Sequence, residues 1–150
     1  MKYLKMFENF DYDKIDIPEE DYLYIQPSQI TNAGNGLFTS IDIEKGEIIS
    51  KFIGEIISNK EAWRRYDLKE DDYFMTLPSG ETLDCKRTDC FAKLANDAEG
   101  IPSKFNNNSK ITIDNEENVV LVAIRDIKAG EEIFTGYGRR YWQRNKYRVI

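Results

Sequence analysis

The most informative segment of this sequence is IRDIKAGEEIFTGYG, residues 124–138. Its apolar and aromatic residues predict a short strand over residues 132–134, just before the glycine-flanked Tyr137. A strand followed by turn residues is common in proteins and by itself indicates no function. The segment becomes informative through its position downstream of two other unusual segments.

The first upstream segment is NAGNGLF, residues 32–38, and the second is FAKLANDA, residues 91–98. Two glycines around Asn35 let the backbone approach a ligand closely and offer N–H and C=O groups to it. A tight turn would use the same glycines without any ligand. Asn96 and Asp97 follow an apolar helical stretch, where they fit either a C-cap or a binding role. Each segment is therefore ambiguous in isolation.

The rest of the chain alternates short apolar runs with turn residues, which is typical of many short strands. We predict further strands at 23–25, 36–39, 48–53, 55–57, 73–77, 81–84, 110–113 and 119–124. Asn59 is the predicted N-cap of a helix over 61–66, and Thr88 that of a helix over 89–94. The sequence therefore predicts a mostly-β fold with small sheets and few short helices.

The chain reads as one domain with short additions at both ends. Residues 1–21 are mixed aromatic and acidic, and we interpret them as an extension that packs partly through Tyr3, Leu4, Met6 and Phe7. The domain proper is predicted over residues 22–142, followed by a tail over residues 143–150. At 150 residues, such a domain buries enough surface to form a core without disulfides or metals.

Composition and charge exclude several classes of function. The chain has 27 acidic and 21 basic residues, a net charge of −6, which argues against direct nucleic-acid binding and suits a cationic partner. The sequence contains no histidine, so histidine-based acid–base catalysis and imidazole metal sites are excluded. Cys85 and Cys90 are too few for a zinc site, and we expect no bound metal.

The sequence predicts an intracellular protein that does not enter a membrane. No apolar run approaches the ~20 residues needed to span a bilayer, and residues 1–21 lack the apolar core of a signal peptide. Two cysteines without disulfide spacing fit a reducing compartment. These features do not choose between the nucleus and the cytoplasm.

The order of the three segments resembles that of the SET-domain family. The string R-D-I-x-A-G-E-E-I followed by Y-G is similar to the C-terminal signature of that family. The earlier G-x-G, the FIGE stretch at 52–55 and Asn96 then follow in the family's order. The resemblance covers residues 22–142, and the end of the chain is also similar to small stand-alone viral SET proteins.

The resemblance implies a fold and an activity. The expected fold is a set of small curved sheets, β-clip-like, whose C-terminal segment threads under a preceding loop as a pseudoknot. The expected cofactor is S-adenosylmethionine, and the expected reaction transfers its methyl group to the side-chain amine of a lysine in a protein. A basic, lysine-containing segment, with a histone favoured, would be the substrate. The protein would be a monomer or a homodimer.

The resemblance also implies roles for individual residues. Tyr137 holds the place of the catalytic tyrosine. The cofactor would contact Asn35, Gly36, Leu37, Tyr73, Lys93, Leu94, Asn96, Asp97, Tyr137 and Trp142. The substrate lysine would enter a channel lined by Tyr73, Phe74, Phe105, Phe134, Thr135 and Tyr137. Such a channel suits the chemistry, because burial among aromatic rings lowers the pKa of an amine and leaves it nucleophilic.

Three positions depart from the family pattern. Asp97 stands where many members have histidine, which removes the histidine side-chain contacts and leaves Asp97 a backbone contact to the cofactor. Thr135 stands where members often have Phe or Tyr, and its smaller side chain predicts more than one methyl per lysine. Trp142 is interpreted either as a cover for the adenine ring or as an anchor for the C-terminus. The alternative function is a catalytically silent SET-like module that binds a lysine-containing peptide.

Overall fold

The computed structural model describes residues 12–100 and 102–137. The elements in chain order are β1 (Asp13–Lys14), α1 (Glu19–Tyr22), β2 (Leu23–Pro27), β3 (Asn35–Thr39), β4 (Glu47–Lys51), β5 (Glu55–Ile57), α2 (Asn59–Asp67), β6 (Phe74–Thr76), β7 (Thr82–Asp84), a 3-10 helix (Ala92–Leu94), β8 (Ser109–Ile113), β9 (Val119–Ala123) and β10 (Glu132–Ile133). The prediction of a mostly-β fold with few short helices is confirmed.

The strands form three small sheets. Their orders are β1-β4-β9-β8, β10-β3-β2 and β5-β7-β6. Every pairing within them is antiparallel except that of β1 with β4. The β1 pairing brings part of the predicted extension into the first sheet. Tyr3, Leu4, Met6 and Phe7 lie outside the described residues.

The main core lies around β9, whose five residues are all buried between β4 and β8. A continuous apolar run of this length is what a strand covered on both faces requires. Leu121 packs in one cluster with Leu37 of β3, Ile49 of β4 and Ile133 of β10. The first two sheets therefore share one core. A smaller second cluster contains Ile30, Ala98 and Phe134, with Phe105 packed against it.

Two predicted helix starts are wrong. Residues 89–94 form only the 3-10 helix, because the Thr88 hydroxyl donates to the carbonyls of Ile53 and Cys85 instead of capping a helix. The N-cap of α2 is Ser58, whose Oγ accepts the N–H of Glu61 at 3.2 Å, and not Asn59. Both misplacements are local, since neither changes the order of the strands.

The C-terminal segment of the described chain runs between two earlier segments. Phe134 forms a parallel bridge with Asn96, and Thr135 forms one with Ser109. The side chain of Asn108 acts as a further backbone partner, because it accepts the N–H of Phe134 at 2.8 Å and donates to the carbonyl of Glu132 at 2.9 Å. The expected threading of this segment is present, and it brings Tyr137 beside residues 95–97.

Candidate active site

Tyr137 is held at two points by one short segment. Its hydroxyl donates to the carbonyl of Ala95, and its backbone N–H donates to Oδ2 of Asp97 at 3.0 Å. The residue is half-buried at the end of the threaded segment. Because both partners lie in residues 95–97, the position of the phenol is tied to that segment.

Asp97 is buried, and both oxygens of its carboxylate accept hydrogen bonds. Oδ1 accepts the backbone N–H groups of Glu99 at 2.9 Å and Gly100 at 3.0 Å, and Nδ2 of Asn107 at 3.0 Å. Oδ2 accepts the N–H of Tyr137. A carboxylate with this many donors stays ordered when buried, since its charge is compensated by hydrogen bonds.

Asn96 connects the second segment to the first. Its Nδ2 donates to the backbone carbonyl of Asn35 at 2.9 Å, where β3 begins. Asn35 itself is exposed, and the preceding Gly34 has a φ of 70°, the left-handed conformation that favours glycine. The three segments singled out by sequence therefore meet at one place: Asn35, Asn96–Asp97 and Tyr137.

Gly36 has a packing reason to be glycine. A Cβ at this position would lie 2.2 Å from Oε2 of Glu132 and 3.3 Å from the Cα of Ser28. The carboxylate of Glu132 is buried and accepts the Ser28 hydroxyl at 2.7 Å and the N–H of Gln29 at 2.8 Å. Gly36, the second glycine of the G-x-G, thus leaves room for the buried Glu132 side chain of β10. This packing role is independent of any contact that Gly36 makes with a ligand.

Two predicted cofactor contacts have their side chains engaged elsewhere. The ammonium of Lys93 donates to the carbonyls of Cys85, Lys86 and Thr88 at 3.2, 3.3 and 2.6 Å, and lies 5.3 Å from the ring centre of Tyr73. The side chain of Leu37 is fully buried in the main core. Lys93 therefore caps the 85–88 loop.

Leu94 is half-buried and packs against the main cluster. Trp142 lies outside the described residues, so both interpretations of it remain predictions. The same holds for the predicted domain end at residue 142.

The aromatic residues predicted to line a lysine channel fall into two groups. The rings of Phe105 and Phe134 are stacked with centroids 5.4 Å apart, in the smaller cluster beside Ala98. Tyr73 packs against the main cluster, where burial raises the pKa of its hydroxyl, and Phe74 lies in β6. The structure thus brings Phe105 and Phe134 together and assigns Tyr73 to the main cluster.

Thr135 has an unusual environment. It is 1% exposed, and its N–H donates to the carbonyl of Asn96 at 2.8 Å. Its Oγ1 is buried and has no hydrogen-bond partner among the residues that the structure describes. Burying a hydroxyl without a hydrogen-bond partner costs free energy, so the stability of the fold alone does not explain the threonine at this position.

Cys85 and Cys90 are free thiols next to the Lys93 contacts. The hydrogen bond between them raises the pKa of Cys85 and lowers the pKa of Cys90. Within residues 12–100 and 102–137, no group of three or more Cys, Asp or Glu side chains is arranged to hold a metal ion. No helix in the same part of the chain is long and apolar enough to cross a bilayer.

Several site residues were missed by sequence reasoning. The side chains of Asn107, Asn108 and Glu132 were not singled out, and Asp97 was assigned only a backbone contact. A run of three asparagines at 106–108, directly before a strand, was the available signal for the first two. The buried Glu132 carried no comparable signal, since the acidic pair in which it lies usually faces solvent.

The chain matches the SET domain family over residues 34–138. This match covers more than half of the chain, so the protein belongs to the SET-domain family. The three segments that meet at Tyr137 all overlap the matched range.

Curated relatives include the histone-lysine N-methyltransferase EZH2 of Chaetomium thermophilum, 34% identical over 125 residues that cover 76% of this chain and 8% of that protein. The N-lysine methyltransferase KMT5A-A of Xenopus laevis is 30% identical over 127 residues, covering 77% and 36%. The chain therefore spans a small part of the length of these relatives. The similarity to viral proteins stays a prediction.

Among solved structures, ctPRC2 in an autoinhibited conformation bound to S-adenosylmethionine has a chain that is 31% identical with a TM-score of 0.62. The match covers 83% of this chain and 17% of that one. An active polycomb repressive complex 2 in the basal state gives 32% identity and a TM-score of 0.64, covering 77% and 15%. The fold is thus shared with known SET-domain structures.

Proposed function

We propose that this chain transfers a methyl group from S-adenosylmethionine to the side-chain amine of a lysine in a basic protein segment, with a histone favoured. The observation that carries the proposal is the two-point attachment of Tyr137 to residues 95–97. Its hydroxyl is thereby fixed beside the carbonyl of Ala95, a position from which it can order a reacting amine. The named activities of the relatives support the same reaction.

The residues around Tyr137 fit the cofactor by their chemistry. The amide oxygen of Asn96 and nearby carbonyls are acceptors for an ammonium, and the exposed backbone at Asn35 lies against Asn96. We infer that Asn35, Asn96 and the backbone of Asp97 hold S-adenosylmethionine. Gly34, with a φ of 70°, forms the turn before Asn35, and Gly36 leaves room for Glu132. When bound, the cofactor supplies an electrophilic methyl group on a sulfonium.

The lysine must lose its proton before it can attack. In water this costs about 4–5 kcal/mol at pH 7, given a lysine pKa near 10.4. A channel bordered by Phe105 and Phe134 lowers that cost, because it desolvates the ammonium form. The remaining work is alignment of the amine with the methyl group, which the Tyr137 hydroxyl and the Ala95 carbonyl supply by positioning.

We also propose that the protein adds more than one methyl group to each lysine and acts inside the cell. Thr135 occupies little volume where a larger aromatic side chain would narrow the site. The free thiols of Cys85 and Cys90 fit a reducing compartment.

The test is transfer of labelled methyl from S-adenosylmethionine to core histones and, separately, to a whole-cell protein extract. Tyr137→Phe should lower the rate by about 100-fold or more, since it removes only the positioned hydroxyl. Tyr24→Phe is the matched control, because the Tyr24 ring stacks on Phe38 in the β2–β3 pair and takes no part in the proposed chemistry. It should keep the wild-type rate.

Absence of label in every lane, with cofactor binding intact, would instead favour a silent module that binds lysine-containing peptides. Mass spectra of the labelled product give the number of methyl groups. A product that stays monomethylated at long times would refute the proposal about Thr135.

A further inference from the structure

We propose that Asp97 is a positioning residue for Tyr137: its carboxylate fixes the backbone of Tyr137 and thereby the direction of the phenol. This proposal rests on the proposed function, because it assigns a catalytic consequence to the placement of Tyr137. The Asp97 side chain thus has a positioning role that is separate from the cofactor contact proposed for the Asp97 backbone.

The two oxygens of Asp97 hold different parts of the chain. Oδ1 accepts from the N–H groups of Glu99 and Gly100, which closes a local turn. Oδ2 accepts from the N–H of Tyr137, a residue 40 positions further along the chain. One carboxylate thus ties the threaded segment to the turn that follows Asn96. Hydrogen bonds to an ionised acceptor are roughly twice as strong as neutral ones.

Asn107 holds the carboxylate in that orientation. Its Nδ2 donates to Oδ1 of Asp97 at 3.0 Å, and its Oδ1 accepts the N–H of Ala98 at 2.8 Å. The same Nδ2 lies 3.4 Å from the point where a Cβ on Gly136 would be. Asn107 therefore packs beside the residue before Tyr137 while it orients Asp97.

Both attachments of Tyr137 come from three consecutive residues. The backbone carbonyl of Ala95 accepts the Tyr137 hydroxyl, and the carboxylate of Asp97 accepts the Tyr137 backbone N–H. Between them, Asn96 binds the carbonyl of Asn35. Loss of the Asp97 bond would remove the contact that fixes the backbone of Tyr137, and the phenol would be held less tightly. A displacement of about 1 Å at a reacting group can reduce a rate by roughly 100-fold.

The substitution Asp97→Asn tests the contact with Tyr137 while it leaves the hydrogen bonds of the local turn in place. The amide has one oxygen, which can keep the three donors at the Oδ1 position, and its NH2 group then faces the N–H of Tyr137. We expect kcat to fall by about 10- to 100-fold, with the cofactor Kd and the peptide KM within about threefold of wild type. Amide hydrogen exchange at Tyr137 should become faster, which is a readout independent of activity.

Asp114→Asn is the matched control. Asp114 also accepts several donors in a local turn, from the N–H groups of Glu116 and Asn118 and from Nδ2 of Asn118. It lies in the β8–β9 hairpin and makes no bond to Tyr137. The same chemical change there should leave kcat and exchange at Tyr137 unaltered.

Asn107→Ala is a milder second variant for the case in which Asp97→Asn does not fold. It removes the donor that orients the carboxylate, and kcat should fall by about 3- to 10-fold.

Wild-type kcat in a folded Asp97→Asn protein, or a loss confined to cofactor binding, would overturn the positioning role. An inactive wild type would refute the proposed function instead, and exchange at Tyr137 would still report on the Asp97 contact.

Discussion

Glu132 is a buried carboxylate that accepts hydrogen bonds from two neutral donors, the Ser28 hydroxyl and the Gln29 N–H. Burying a charge costs free energy unless hydrogen bonds compensate it, and these two bonds supply part of that compensation. Here they attach residues 28–29 to β10, next to the G-x-G turn. The space left beside the carboxylate accommodates only a hydrogen atom at Gly36.

Gly36→Ala should therefore destabilise the protein. Its Cβ would lie 2.2 Å from Oε2 of Glu132, and moving that buried carboxylate costs about 1–3 kcal/mol in the free energy of unfolding. Urea denaturation measures the change. Gly136→Ala is the matched control, since its Cβ would be 3.4 Å from Nδ2 of Asn107 and needs no rearrangement. Equal stability losses in both variants would contradict the role assigned to Glu132.

At the scale of elements, α2 is attached to the third sheet by an ion-pair network around Arg65. This arginine is nearly buried and contacts Glu61 of its own helix at 2.7 Å, Glu55 of β5 at 3.2 Å and Asp84 of β7 at 2.7 Å. Asp84 is completely buried. The helix thus supplies the nearest cation for a carboxylate that lies inside the sheet, and Arg87 lies 3.6 Å from the same oxygen of Asp84.

Arg65→Met should destabilise the protein by about 3 kcal/mol, the lower end for a broken buried ion pair, because Asp84 loses its closest cation and keeps only the more distant Arg87. Arg64→Met is the matched control. Arg64 is the neighbouring residue and is exposed, and within the described part of the chain it forms an ion pair with Glu61 alone. Thermal melting of the two variants measures the difference. Similar melting temperatures would show that the network does not stabilise the attachment of α2.

Strands were easier to predict than helices in this chain. β5 was predicted with the bounds that the structure has, and β9 differs by one residue. Alternating or continuous apolar runs mark buried strands directly. The 89–94 helix failed because a hydroxyl that can cap a helix can equally bind other carbonyls, and the nearest ones belong to Ile53 and Cys85.

For the whole molecule, the net charge of −6 bears on substrate choice. An acidic protein attracts a basic peptide over distances comparable to the Debye length, which is about 10 Å at 0.1 M salt. This attraction affects encounter and binding and leaves the chemistry at Tyr137 unchanged.

The KM for a lysine- and arginine-rich peptide should therefore rise several-fold between about 0.05 and 0.3 M salt, with kcat changed little. Steady-state kinetics over that range measures both. A peptide with the same target lysine and neutral flanks is the control, and its KM should respond weakly. An equal response of the two peptides would argue against electrostatic selection of basic substrates.

The sequence by itself determined the class of this protein. The order of the G-x-G turn, Asn96 and the segment ending at Tyr137 identified the SET-domain family, and local apolar patterns predicted its strands. Each of these features lies within a few residues or depends only on the order of segments along the chain, so it can be recognised from the sequence alone.

Only the tertiary structure decided which side chains organise the site. Asp97 meets Tyr137 across 40 positions, and Glu132 meets Ser28 across 104. Hydrogen bonds between such distant residues depend on how the sheets pack and how the last segment threads between residues 96 and 109. No local pattern encodes that arrangement, because it follows from burying one core shared by several short strands.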